Sequence, residues 1–172
     1  TAYRADGIAA VCFYTAAYAA MNVGAFAVIT QASGVKETLS NIEDYAGLAQ
    51  QRPGLAAAMA FFLLSMIGIP FTAGFFGKFY VFTAALHAGH LWLVVLGLIN
   101  SGIACYYYLR LIISLYSPGP SARAEILRGK PLTFAAATGI ALCVLATLAL
   151  GIIPGHILHL AARAADITAI TQ

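Results

Sequence analysis

GIPFTAGFFGKFY, residues 68–80, interrupts an apolar run that otherwise reads as a membrane-crossing helix. Pro70 has no N–H, and its ring collides with the carbonyl of Met66 four residues earlier, so a helix through this point must kink or stop. Gly68, Gly74 and Gly77 make the surrounding backbone easy to unwind. In hydrocarbon, unwound backbone is tolerated only where protein buries it or water reaches it. The stretch is therefore expected to face inward, broken near residues 69–76, with Thr72 placed to satisfy a freed carbonyl.

Lys78 follows the break and is the one charge well inside an expected span. An ionised side chain at the centre of a spanning helix costs about 2.5–3.5 kcal/mol on insertion scales. Low-dielectric surroundings favour the neutral amine, so a lysine there can take up and release a proton. Helices interrupted at mid-membrane also aim half-helix ends at an ion path. The plainer alternative is snorkelling. Lys78 stands eight residues before the end of its apolar block, about 12 Å along a helix, and a long side chain can reach toward an interface from there. Snorkelling gives no reason to break the helix.

Outward from this stretch, four apolar blocks cover about 8–30, 55–86, 91–116 and 131–153. About 20 residues cross a hydrocarbon core of about 30 Å, so three blocks fit one helix each. The second block is too long for one straight span and is the one holding the break. Composition agrees: of 172 residues 62% are hydrophobic and 9% charged, with a mean hydropathy of +0.88. That leaves too little polar surface for a water-soluble globule. The fold class is all-α, a polytopic membrane protein with four transmembrane helices, the second discontinuous. The sequence does not begin with Met and reads as the C-terminal portion of a longer chain, with no convincing signal peptide.

Basic residues set the expected topology. Lys36, Arg52, Arg110, Arg123, Arg128 and Lys130 lie on one side against Arg4 and Arg163 on the other, which puts residues 31–54 and 117–130 in the cytoplasm. Within the first of these segments, Ser40 with Glu43 three residues on has the pattern of a capping box, and Pro53 suits a helix start. Beyond residue 153 an amphipathic interfacial helix carrying His156 and His159 is expected.

Other polar residues are fewer. Tyr14, Tyr18 and Asn22 recur every four residues and share one face of the first helix, where they either line a hydrated path or bond to a neighbouring helix. Asn100 and Ser101 sit mid-span in the third block, and of the triplet Tyr106, Tyr107 and Tyr108 at least one should point into the bundle. His87 and His90 read as surface residues flanking a short loop. Cys12, Cys105 and Cys143 read as buried small hydrophobes without metal-ligand spacing. The net charge of +3 is not gathered into any basic face, so nucleic acid is not an expected partner. No nucleotide-binding glycine pattern, catalytic triad or haem pair is visible.

Two stretches carry a family resemblance: DYAGLAQQRPGLAAAMAFFLLSMIGIPFTAGFFGKFYVF (44–82) and YYYLRLIISLY (106–116). They closely resemble the proton-translocating membrane subunits of respiratory complex I, the subunit-N type of bacterial NADH-quinone oxidoreductase above all, which are similar to Mrp-type cation/proton antiporter subunits. The resemblance runs over about residues 5–155. It implies that the four blocks are the last four helices of a fourteen-helix antiporter-like domain. Lys78 would match the family's lysine after the break, and "GKFYV" lacks the acidic residue that directly follows it in subunit L. By position, the resemblance makes Tyr107 the residue of the central hydrophilic axis. The family's charges on helices five, seven and eight have no counterpart in this chain.

What the resemblance implies is a proton-translocating subunit of a quinone-reducing translocase, with Lys78 as relay and no redox chemistry of its own. NADH, FMN, iron–sulfur clusters and quinone would belong to partner subunits, with antiporter-like M and small K-type subunits as membrane neighbours in a bacterial inner membrane. An Mrp-type antiporter subunit, or a structural scaffold with no proton path, are the alternatives.

Overall fold

The computed structural model describes residues 2–33, 39, 41–119 and 132–155, with side chains from residue 7. The Ser40 cap and the interfacial helix with His156 and His159 fall outside the described residues. Six helices are described: α1 (Ala2–Ser33), α2 (Leu48–Gln51), α3 (Pro53–Ile67), α4 (Ala73–His87), α5 (Leu91–Tyr116) and α6 (Phe134–Ile152), with a 3-10 turn at Ile42–Tyr45. The chain is an all-α polytopic membrane protein. By length and apolarity, three described stretches can each cross a bilayer, Gly7–Ser33 in α1, then α5 and α6. α3 and α4 have 15 residues each, about 22 Å apiece, so a fourth crossing needs both in series.

Packing is organised by α1, which touches α3, α4 and α6. Its buried stripe is Phe13, Ala17, Met21, Ala25, Val28 and Ala32, at steps of three and four residues that stay on one helical face. The alanines allow close approach of the partner helices, the usual device where lipid offers no hydrophobic contrast. α1 runs beyond the expected 8–30 at both ends, and α6 begins three residues later than expected. There Thr133 caps it, its Oγ1 accepting from the Ala136 N–H at 3.4 Å. α5 occupies the expected 91–116, and Pro53 opens α3.

The expected burial of the cysteines is corrected. Cys12 is exposed, and Cys105 and Cys143 are half-buried. On a spanning helix the outward face is as apolar as the inward one, so an apolar neighbourhood in sequence does not signal burial. His87 and His90 are exposed, as expected.

The polar connections gather at one end of the bundle. The Arg52 guanidinium donates from Nη1 to the Gln31 carbonyl at 2.9 Å, closing the end of α1 against the start of α3. Ser114 Oγ donates to the Ile42 carbonyl at 2.8 Å, and Gly119 packs on Ala46. The polar segments on either side of α3–α5 therefore share an end. The capping expectation shifts: the Asn41 N–H donates to the Asp44 carboxylate at 2.8 Å, whereas Glu43 reaches Arg110 Nη2 on α5 at 2.8 Å. Both partners of that ion pair are more than half exposed. A double-mutant cycle of Glu43→Gln and Arg110→Gln is expected to return a coupling of about 0.2–1 kcal/mol in denaturant unfolding of the full-length protein. A coupling of several kcal/mol would mean the pair is desolvated in the membrane-bound protein.

Candidate functional site

α3 ends where Gly68 turns to φ +95°, its N–H donating to the Leu64 and Ser65 carbonyls. Pro70 follows, then Phe71 at φ +70°, a left-handed conformation that a bulky residue rarely adopts. Thr72 closes the break. Its Oγ1 donates to the Ile69 carbonyl at 2.7 Å and accepts from the Phe75 N–H at 3.4 Å, capping α4. The break is thus Gly68–Thr72, and the expected limit of residue 76 is corrected, since residues 73–76 are helical.

Gly74 and Gly77 serve a different purpose from the one expected. A Cβ on Gly74 would overlap the Ser65 carbonyl oxygen, so glycine lets the first turn of α4 lie directly on the last turn of α3. A Cβ on Gly77 would stand 2.9 Å from the Tyr14 ring, so the missing side chain admits that tyrosine across α4.

Lys78 fills the gap that Pro70 opens. In a continuous helix the Met66 and Ile67 carbonyls would accept from residues 70 and 71. Residue 70 has no N–H, and the chain has turned away by residue 71. Lys78 Nζ instead donates to Met66 O at 2.9 Å and Ile67 O at 3.1 Å, and it contacts Ser101 Oγ of α5 at 2.6 Å. The side chain points back into the break, away from the His87 end of α4, the opposite direction from the one snorkelling requires. The two carbonyls are the negative end of the α3 dipole. The amine is held by two backbone carbonyls and one hydroxyl, without a carboxylate among these three partners.

The Nζ faces a cavity of about 380 Å³ lined by Tyr14 and Tyr18 of α1 and by Asn100, Ser101, Tyr107 and Tyr108 of α5. That volume accommodates several water molecules. A second cavity of about 230 Å³ carries Asn22 and Ile42 and shares Met66, Tyr107 and Tyr108 with the first. Tyr14 and Tyr18 stack at 5.7 Å between ring centroids, and the Tyr107 and Tyr108 rings meet edge to face at 4.7 Å.

The expected polar face of α1 is thus brought to the cavities, although Asn22 bonds its own helix, Nδ2 donating to the Tyr18 carbonyl at 2.8 Å. Tyr107 lines both cavities. Tyr108 does so too and was not singled out by sequence. Ser101 was noticed only as a polar residue in mid-span, and no signal in one sequence pairs it with Lys78. Ser65 carries a fully buried hydroxyl with no hydrogen-bond partner among the described residues.

The site is thus a lysine ligated by the broken end of one helix beside a tyrosine-lined cavity. Residues 2–104 match the family described as NADH:quinone oxidoreductase/Mrp antiporter, transmembrane. The chain belongs to this family. Among relatives in the family, subunit N 1 of the NADH-quinone oxidoreductase of Solibacter usitatus is 46% identical over 96% of this chain and 34% of its own length. Subunit N of Trichlorobacter lovleyi is 42% identical over 93% of this chain and 32% of its own. Respiratory complex I from Thermus thermophilus, solved with bound aureothin, contains a chain that superposes with a TM-score of 0.71. It is 31% identical and covers 88% of this chain and 34% of that one. The chain spans about a third of the length of the curated relatives it matches.

Proposed function

We propose that this chain is part of a membrane subunit that translocates protons, coupled to NADH:quinone oxidoreduction carried out by partner subunits. The observation that carries this reading is the Lys78 Nζ, held by the Met66 and Ile67 carbonyls at the break and facing the larger cavity. A proton carrier needs a titratable group reached by water and held where its two charge states can interconvert. Lys78 supplies the group and the cavity supplies the access.

In this reading Tyr107, with Tyr14, Tyr18 and Asn22, borders the hydrated path, and Gly68–Thr72 with the close-packed Gly74 and Gly77 forms the scaffold of the lysine site. NADH, FMN, iron–sulfur clusters and quinone reside in partner subunits, and this chain contributes to a translocase without redox chemistry of its own. Its neighbours are the other membrane subunits of the complex, of the antiporter-like M and small K types, within a bacterial inner membrane. Residues 31–54 and 117–130 face the cytoplasm, a placement supported by the basic-residue count and by the shared end of the Ile42–Arg52 and Ser117–Gly119 segments.

The test is proton pumping by the full complex carrying Lys78→Ala or Lys78→Arg, alongside its assembly level and NADH:quinone activity. Collapse of pumping and coupled turnover in an assembled complex supports the relay. Unchanged pumping per electron in both variants would reduce Lys78 to a structural tie. An Mrp-type antiporter subunit would instead purify without NADH-oxidising partners.

A further inference from the structure

Among the described residues three groups hydrogen-bond to Lys78 Nζ, and they differ in what they can do. Met66 O and Ile67 O are backbone carbonyls, which accept hydrogen bonds and hold no exchangeable proton. Ser101 Oγ, at 2.6 Å the nearest of the three, is a hydroxyl that donates as well as accepts. An ammonium has three N–H donors and satisfies all three groups at once. A neutral amine has two N–H donors and one lone pair. With both carbonyls still occupied, its lone pair must face Ser101, and the hydroxyl must turn to donate. The same heavy-atom positions therefore serve both charge states of the lysine, and the only rearrangement is the rotation of one hydroxyl.

Ser101 also stands at the wall of the larger cavity. We propose that Ser101 is the positioning residue through which Lys78 exchanges its proton with water in that cavity. On loading, the Oγ–H proton passes to the amine lone pair, forming the third N–H. The serine oxygen takes a replacement proton from a hydronium in the cavity, which leaves as water. On release each transfer runs in reverse, and the serine is a neutral hydroxyl before and after. The inference rests on the reading of Lys78 as a proton carrier. Its rival is direct exchange between Nζ, which also borders the cavity, and a water molecule.

The test compares Ser101→Ala, Ser101→Thr and Lys78→Ala in the assembled, full-length complex, measuring assembly, proton-coupled NADH:quinone turnover and its solvent deuterium isotope effect. Ser101→Ala is expected to assemble normally and lose about tenfold or more of coupled turnover, with a changed isotope effect. Ser101→Thr keeps the hydroxyl and is expected to remain within about twofold of the parent, with the parent's isotope effect. If Ser101→Ala pumps like the parent while Lys78→Ala has collapsed, the serine is a bystander and direct exchange is the route. If Ala and Thr both collapse in assembled complexes, shape rather than the hydroxyl is what matters, and the proposal is overturned. Normal pumping by Lys78→Ala would remove the underlying reading as well. Should Ser101→Ala fail to assemble, Ser101→Val, which has the shape of threonine without its hydroxyl, takes its place with the same outcomes.

Discussion

Lys78→Met in the assembled complex is expected to lower proton-coupled turnover by about 10²-fold or more, the scale on which a positioned acid–base group contributes. Methionine has a similar length and no proton to give. Its second effect is structural. The Met66 and Ile67 carbonyls lose the donor that replaced the missing N–H groups; a fully buried acceptor left without a partner costs about 1–3 kcal/mol, which is an upper bound for these part-buried ones. The break should therefore loosen, read as faster amide exchange at Gly68 and Ile69, whose N–H groups bond within the last turn of α3. Lys78→Arg separates the two effects. Its guanidinium can still donate to carbonyls, yet it stays charged at any physiological pH. Amide exchange near the parent's with turnover still collapsed is the expected pair for arginine. Arginine that pumps like lysine would show that only a fixed positive charge is needed.

Gly74→Val is expected to prevent the complex from accumulating. The new Cβ would fall on the Ser65 carbonyl oxygen, which is backbone and cannot swing aside. Overpacking a tight contact costs about 1–3 kcal/mol and sometimes more. Relief requires α4 to lift off α3, which would carry Lys78 away from its two carbonyls. Assembly level in membranes and thermal stability of the purified complex measure the effect. Gly54→Ala, where a Cβ meets nothing within 4 Å, should be near neutral. Normal assembly of Gly74→Val with parental stability would mean that the two half-helices are not in rigid contact.

The break and its lysine were legible because their causes are local. A proline in an apolar run and a charge after it act through covalent geometry and solvation, whatever the helix packs against. The end of the break was misplaced by four residues because Gly74 and Gly77 look, in sequence, like unwinding residues. Glycine is kept either for a backbone conformation or for lack of a side chain, and only the packing partner tells which. Gly68 is the first kind, and Gly74 and Gly77 are the second. Ser101 shows the same limit from the other side. Its meeting with Lys78 depends on the axial register of α4 against α5, which no single-chain periodicity specifies. Tyr107 was placed by family resemblance, while Tyr108 needed the rotation of α5. The ion pair of Glu43 with Arg110 spans 67 positions, and the capping pattern near Glu43 pointed to a local role instead.

The seat of Gly74 on Ser65 has a mechanical consequence. A contact without clearance is a fulcrum, and this one lies at the first turn of a rigid rod. α4 extends about 20 Å from Gly74 to His87, and Lys78 stands only about 6 Å along it. A tilt that displaces the His87 end by 1 Å therefore moves the lysine backbone by about 0.3 Å. Movement of the Ala88–His90 turn reaches the lysine strongly geared down. Disturbance of the turn is muted at the site, and a push applied beside the fulcrum is magnified at the turn.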